Sequence, residues 1–413
     1  MADFKPFKAL RPQAQFAKQV ASRPYDVLNS SEAKVEAQGN PNSFLHITKS
    51  EIDLKSDIDI HSEAVYEKAK ENLEAFIKRD ILFQEDKECY YIYQLVMNNR
   101  SQTGLVGVSS VDDYEKGIIK KHEFTRPEKE QDRINHIKVL GAQTGNVFLA
   151  YRNNETIDAL VEKWKSTKSS VYDLTADDQV QHTIWIINDS KVIDQLKSLF
   201  QLQVPNTYIA DGHHRAASAA KVRQTLGDKK TAASNYFLTT LFPSNQLFIM
   251  EYNRLVKDLN ELSKEEFLIR LTEKFEVIKV GKDAVSPVKL HEFGMYLDHN
   301  WYRLTCKGNT YTEDPIGVLD VTILQNNLLD PVLNIKDPRT ETRIDFVGGI
   351  RGLKELEKRV DSREMKVAFS LYPVTIEQLF AIADSGNVMP PKSTWFEPKL
   401  RDGLLTHLIS EKF

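Results

Sequence analysis

From residue 147 to residue 227 the chain alternates short apolar runs with longer stretches of helical spacing, and that alternation limits the fold more than any other feature of the sequence. Residues 147–151, 183–187 and 208–210 are rich in β-branched and aromatic side chains and read as strands. Between them, 157–164 and 192–200 carry apolar residues at helical spacing, and the Ala-rich stretch 213–226 reads as a third helix closed by Gly227. Strands separated by helices in this way belong to mixed or α/β sheets. Elsewhere, Val65, Ala69, Leu73, Phe76 and Ile77 predict a helix that starts after Ser62, and Pro127 opens another that runs to Gly141. Residues 90–97 and 104–109, joined by Asn98-Asn99-Arg100-Ser101, predict a hairpin, and 44–47 read as a short strand. The second half mixes strands at 235–241 and 247–252, a helix at 264–275, and strands around Val277 and Tyr302.

A chain of 413 residues exceeds what one small core holds, so two regions are expected, 1–245 and 246–413. The 55 basic and 59 acidic side chains leave a net charge of −4, which offers no field to attract a long nucleic acid. Cys89 and Cys306 have no CxxC partner, which argues against a disulfide framework or a zinc knuckle and predicts buried thiols. Met1 to Pro6 carry an acid and a proline where a signal peptide needs an apolar core, and no apolar run reaches membrane-spanning length. A cytoplasmic protein with no membrane partner is the expectation.

The densest chemistry lies at Asp211-Gly212-His213-His214-Arg215, where a strand ends, an acid-glycine pair turns, and a helix begins. The first turn of a helix presents unpaired amides and the positive end of its dipole, which together attract phosphate. Arg215 adds a fork of donors suited to phosphate oxygens. Because successive helical positions differ by about 100°, one of His213 and His214 is expected to face the ligand while the other packs or orients it. The plainer alternative has Asp211 capping the helix and the histidines serving only structure.

Other clusters are less dense. His122-Glu123-Phe124-Thr125-Arg126 with Asp132 and Arg133 offers an acid and two arginines for phosphate or carboxylate, or else an ion-paired helix start. Lys392-Ser393-Thr394 and Lys399 sit in a run with four nearby prolines, an extended loop with phosphate-binding groups or a plain surface loop. Tyr25, Asp26, His46, Lys49 and Glu51 place acids on loops, where a carboxylate suits the deprotonation of a hydroxyl. There is no GxxxxGK[ST], no GxGxxG after a strand, no HExxH, no GxSxG and no protein-kinase signature. Phosphate transfer, if catalysed, lies outside the common nucleotide folds.

Six segments together resemble a widespread bacterial family long called a domain of unknown function: PYDV (24–27), NPNSFLHITKSE (40–51), HEFTRPEKEQDR (122–133), IADGHHRAASA (209–219), AFSLYPVT (368–375) and MPPKSTWFEPKLRDGL (389–404). That family is similar to a distant branch of the ParB/sulfiredoxin fold and includes pyrophosphate-dependent serine kinases. The resemblance implies an α+β, mixed α/β fold: a ParB/sulfiredoxin-like core with a mixed sheet, elaborated by a second α+β region that contributes the MPPKST loop to the site. It implies a kinase that makes O-phospho-L-serine from free L-serine and pyrophosphate, with ATP or ADP as alternative donors, in serine and cysteine biosynthesis. By the same resemblance Asp211, His213, His214 and Glu51 are catalytic, with Asp211 also acting through Mg2+. Gly212, Arg215, Arg126, Arg133, Lys392, Ser393, Thr394 and Lys399 would hold phosphates, and Tyr25, Asp26, His46, His122 and Glu123 the acceptor. Glu251-Tyr252-Asn253-Arg254 departs from the family pattern, which has a histidine before the arginine. A monomer or homodimer is expected, and a ParB-like nucleotide-binding or DNA-associated regulator is the competing class.

Overall fold

Apolar spacing becomes packing along the helix α1 (Glu63–Lys78), where Val65, Ala69, Leu73 and Phe76 form one buried face. The computed structural model of the protein describes residues 1–227 and 230–410. It divides into two units, one formed by Met1–Leu247 with the segment that starts at Pro398, the other by Phe248–Glu397.

Nine strands build the sheet of the first unit: β1 (Phe4–Lys5), β2 (Tyr90–Met97), β3 (Arg100–Ser110), β4 (Ile119–Lys120), β5 (Val147–Tyr151), β6 (Tyr172–Thr175), β7 (Gln181–Ile187), β8 (Thr207–Asp211) and β9 (Tyr236–Pro243). Their order is β4-β8-β5-β9-β3-β2-β7-β6, with β1 paired to β3. The β4–β8 and β5–β9 pairs are parallel and the rest antiparallel, so the sheet is mixed, as the alternation of elements predicts. The expected hairpin is β2–β3, and its turn needs only Asn98 and Asn99, at φ 51° and 62°. Two left-handed central residues give the tight turn whose twist matches that of the strands.

Helix α2 (Pro127–Leu140) closes on Gly141 at φ 63°, and α3 (His213–Thr225) packs against it through Ile134, Ile137 and Val222. Residues 44–47, a strand by their composition, instead enter a helical turn at Leu45–Thr48. Phe44 and Ile47 pack with Leu73 and Phe76, while Leu45 packs with Leu28 and Ala33. A short run that is apolar on every side has no period to tell the two structures apart.

The segment after Pro398 threads back through the first unit. Its backbone pairs Asp402 with Ser22 through bonds of 2.9 and 3.1 Å, Thr406 with Leu10, and His407 with Gln143. Lys399 and Asp402, remote in sequence, thereby join the unit that holds β8 and α3.

In the second unit, β10 (Tyr252–Val256), β11 (Phe275–Gly281), β12 (Glu292–Leu297), β13 (Asn300–Cys306), β14 (Ile344–Gly348) and β15 (Val367–Leu371) form an antiparallel sheet in the order β11-β13-β12-β15-β10-β14. The helix expected over 264–275 ends at Leu271, and Phe275 opens β11 instead. Cys89 is buried and Cys306 half-buried, both as free thiols. Among the described residues no helix is long and apolar enough to cross a membrane.

Candidate active site

Strand β8 ends in a bulge: Ile209 pairs with Leu149 and Asp211 with Phe148, leaving Ala210 as the extra residue. A bulge re-aims the side chain that comes after it. Gly212, at φ 100°, then turns the chain into α3, and a Cβ there would stand 3.3 Å from the Val147 Cα. Both the left-handed backbone and the close approach call for glycine. No side chain caps α3, so its first amides remain available to a ligand. Asp211 therefore does not serve as the helix cap.

The Asp211 carboxylate is held instead by cations. Its Oδ2 accepts from Lys399 Nζ at 2.8 Å, and its Oδ1 lies 3.8 Å from Arg215 Nη2. Burial alone would raise its pKa, but Lys399 and Arg215 outweigh burial and hold the carboxyl well below the usual range. The same Arg215 Nη2 donates to Asp26 Oδ2 at 2.8 Å, Nη1 donates to the Asn146 carbonyl, and Nε is buried without a partner. Burial would lower the guanidinium pKa; Asp26 and then Asp211 hold it well above its ordinary value. One arginine thus ties two carboxylates together. Its stem also lies close against Gly145, where a Cβ would come within 3.2 Å of Arg215 Cδ.

Tyr25 lies against two cations, its ring centroid 3.9 Å from the Arg133 guanidinium carbon and 5.9 Å from that of Arg215. Burial pushes its phenol up to about 12 against the opposing pull of Arg133. Arg133 pairs with Asp132 at 2.6 Å, and Asp132 also accepts from the Tyr66 hydroxyl and contacts His61. A cavity of about 20 Å³, room for one water, lies beside this cluster and is lined by Tyr25, Arg133, Arg215, His136, Thr144 and Gly145.

The two histidines part as their helical offset predicts. His213 is buried, with its ring edge-to-face on His122 at 4.5 Å, its Nε2 accepting the His122 amide at 3.4 Å, and its Nδ1 3.9 Å from Glu123. Burial and then His122 keep His213 neutral, well below 6.5, and burial takes His122 down to about 4. His214 is half-buried, and its Nε2 accepts the Arg126 amide at 2.9 Å, which joins the starts of α2 and α3. Both rings serve as acceptors for backbone, which fixes their tautomers.

A family model described as "Protein of unknown function (DUF1015)" matches residues 4–322. The chain belongs to that family. No curated protein matches it. Among solved structures it is similar to a conserved hypothetical protein from Pyrococcus furiosus at 16% identity, covering 73% of this chain and 94% of that one with a TM-score of 0.35. It is also similar to a free serine kinase in complex with AMP at 14% identity, covering 75% of this chain and 92% of that one with a TM-score of 0.33. A third likeness is to SbnI with a C-terminal truncation from Staphylococcus aureus, at 9% identity, 72% and 85% coverage and a TM-score of 0.37.

In this DUF1015 protein the structure brings together, of the residues singled out by sequence, Tyr25, Asp26, Arg133, Asp211, Gly212, Arg215 and Lys399, with His122, Glu123, Arg126, His213 and His214 alongside. It engages the others elsewhere. Glu51 accepts from Ser30 Oγ at 2.8 Å and pairs with Lys49 at 3.0 Å, and His46 is bound to Asp53 at 2.7 Å and to the Asn40 carbonyl. Lys392, Ser393 and Thr394 belong to the second unit.

Sequence reasoning misses Asp402. Its carboxyl is 3% exposed, has one oxygen without a partner, and is pushed up to about 7 by burial, with Arg215 pulling down and Asp26 pushing further up. The signal is present as Asp402-Gly403, which repeats the acid-glycine pair of Asp211-Gly212; Gly403 is likewise left-handed, at φ 88°.

Proposed function

We propose that this chain is a phosphotransferase that makes O-phospho-L-serine from free L-serine, with pyrophosphate as donor. The observation that carries the reading is the meeting of Asp211, Asp26 and Lys399 around the Arg215 guanidinium at the uncapped start of α3. Phosphoryl transfer asks a protein for little covalent chemistry and much positioning and charge stabilisation. The amides of α3, with Lys399 beside them, suit the donor phosphates.

In this reading the serine hydroxyl loses its proton to a carboxylate as its oxygen bonds to phosphorus, the P–O–P bridge breaks, and orthophosphate leaves. Asp26 takes that proton: its side chain is 35% exposed and Arg215 holds it beside Asp211, whereas Glu51 is engaged by Ser30 and Lys49. Asp211, with its depressed pKa, is a poor base and acts as a fixed negative charge. His122 and His213, both neutral, shape the wall next to Glu123, and Tyr25 backs the acceptor.

Among the described residues no group of three His, Cys, Asp or Glu side chains is set to hold a metal by itself. The residues fit Mg2+ in its usual phosphate-borne form, which needs only one or two protein carboxylates, here Asp211. Bound with the donor, Mg2+ would supply further neutralisation of phosphate charge.

The test is direct. Purified protein with Mg2+ and L-serine is supplied separately with pyrophosphate, ATP or ADP, and O-phosphoserine is monitored by phosphorus NMR. Pyrophosphate is expected to yield product, and Asp211→Asn and Arg215→Ala to lower turnover by about 10²–10⁴ with circular dichroism unchanged. Product with ATP or ADP alone would reassign the donor, and no product with any of them would overturn the kinase reading.

A further inference from the structure

Among the described residues Phe124 is the most exposed of the large apolar side chains, at 74%. A lone exposed apolar side chain means nothing by itself; what gives this one a role is its place in the fold. The segment that carries it is tied at both ends to the start of α3. The His122 amide donates to His213 Nε2 at 3.4 Å, and the Arg126 amide donates to His214 Nε2 at 2.9 Å. Thr125 Oγ1 donates to Glu130 Oε2 at 2.7 Å, and Pro127 then opens α2 with its fixed φ. Phe124 is thus the middle residue of a short span whose ends are fixed.

The span also runs from one carboxylate of the site toward the other. Burial lowers the pKa of both histidines. Against it His122 feels the negative charge of Asp211, and His214 feels Glu130 and Asp26, while Lys129 and Arg126 push His214 further down. His122 therefore marks the Asp211 side and His214 the Asp26 side, with Phe124 between them.

The proposed reaction needs a cover at this place. Asp26, with its side chain 35% exposed, leaves the reacting end open to solvent. Water and a serine hydroxyl are alike as nucleophiles, and serine is too small to seal the site with its own bulk. Attack by water would split pyrophosphate into two orthophosphates and phosphorylate nothing, so transfer to serine depends on keeping water out. Glu123, Thr125 and Arg126 are polar; Phe124 is the apolar ring of the span. Rotation about its side-chain torsions moves the ring without moving the tied backbone, and closing removes from water an apolar surface that now faces it.

We propose that Phe124 closes over the bound acceptor and shields the transferring phosphoryl group, and thereby sets the choice of serine over water. This inference rests on the serine kinase reading.

The experiment follows orthophosphate and O-phosphoserine together by phosphorus NMR, with pyrophosphate, Mg2+ and L-serine, for the wild type, Phe124→Leu and Phe124→Ser. Transfer to serine releases one orthophosphate per phosphoserine, whereas attack by water releases two and makes no phosphoserine. The wild type is expected to stay near one orthophosphate per phosphoserine. Phe124→Ser should raise that ratio about tenfold or more, and Phe124→Leu, which keeps an apolar cover, should stay within about threefold of the wild type. A merely structural role would slow both reactions alike, and an unchanged ratio in Phe124→Ser would overturn the proposal. A second measurement needs no turnover. In Phe124→Trp, acrylamide quenching of the new indole should fall by about half or more on addition of pyrophosphate, Mg2+ and L-alanine, which has no hydroxyl to react. The wild type gives the baseline, since Trp164, Trp185 and Trp301 are buried. Unchanged quenching would overturn the proposal as well. Absence of phosphoserine from the wild type would instead sink the kinase reading, and the indole would still decide whether residue 124 closes over a bound ligand.

Discussion

Asp402→Asn changes one buried carboxyl to its neutral isostere, and the surroundings of that carboxyl set the sign and size of the effect on stability. The folded carboxyl titrates near 7, against an ordinary value of 3.8. Between those values the folded state holds the proton longer than the unfolded chain, so stability falls as pH rises through this window. At 1.36 kcal/mol per pH unit, the carboxyl disfavours folding by about 1.5 kcal/mol at pH 5 and about 4 kcal/mol at pH 8.5. Asparagine does not titrate and keeps the shape, so the stability difference between variant and wild type should shift toward the variant by about 2.5 kcal/mol from pH 5 to pH 8.5. Calorimetric unfolding of both proteins at the two pH values reads this directly. The expectation is for the pH-dependent shift, since the Asn amide also meets Arg215 and Gly145 and adds a constant of its own. A difference that stays the same at pH 5 and pH 8.5 would refute the reasoning, because it would mean that Asp402 ionises in the fold as it does in water.

Three further outcomes are expected. Gly212→Ala, which places a Cβ 3.3 Å from the Val147 Cα at φ 100°, should destabilise the fold by roughly 1–3 kcal/mol and reduce turnover, read by urea unfolding and the phosphoserine assay. Asp26→Asn should lower kcat by about 10²–10⁴ while Glu51→Gln keeps it within about threefold; the reverse ranking in steady-state kinetics would move the proton acceptor to Glu51. On the acid side, His122 and His407 sit near 4 and His136 and His182 near 3, all through burial, so the unfolded chain gains protons first and stability present above about pH 6.5 is lost below it. His122 alone accounts for about 3 kcal/mol by pH 4, and the urea midpoint should fall steeply between pH 6.5 and 4.5 despite the opposite trend of Asp402.

The parts of this protein that the sequence announces are those whose cause is local. Strand β8, the left-handed Gly212 and the helix after it are written within a few residues of one another, as are α1, α2 and the β2–β3 turn. Where the local signal is empty, as in the uniformly apolar run 44–47, tertiary packing on Leu73 and Phe76 decides, and a helical turn forms in place of the expected strand.

The electrostatics of the site belong to another class of information. By sequence Arg215 is a fork aimed at phosphate, but its donors go to Asp26 and Asn146, residues 189 and 69 positions away. By sequence Asp211 is a cap or a metal ligand, and its partner Lys399 lies 188 positions away. No period or spacing encodes such contacts; the one to Lys399 exists because the last segment pairs with Ser22 and sets Lys399 and Asp402 beside β8 and the Tyr25 turn. The consequence is chemical. A carboxylate clamped by a lysine and an arginine is too acidic to serve as a base, so in the proposed reaction Asp211 stays a fixed charge and the proton goes to Asp26, which Arg215 holds beside it. The acidity of Asp211 comes from the return of the chain end, and removing the Lys399 ammonium should therefore raise the Asp211 pKa. Lys399→Met, examined by a pH–rate profile, is expected to show a second acidic limb from Asp211; an unchanged profile would mean that Lys399 does not set the acidity of Asp211.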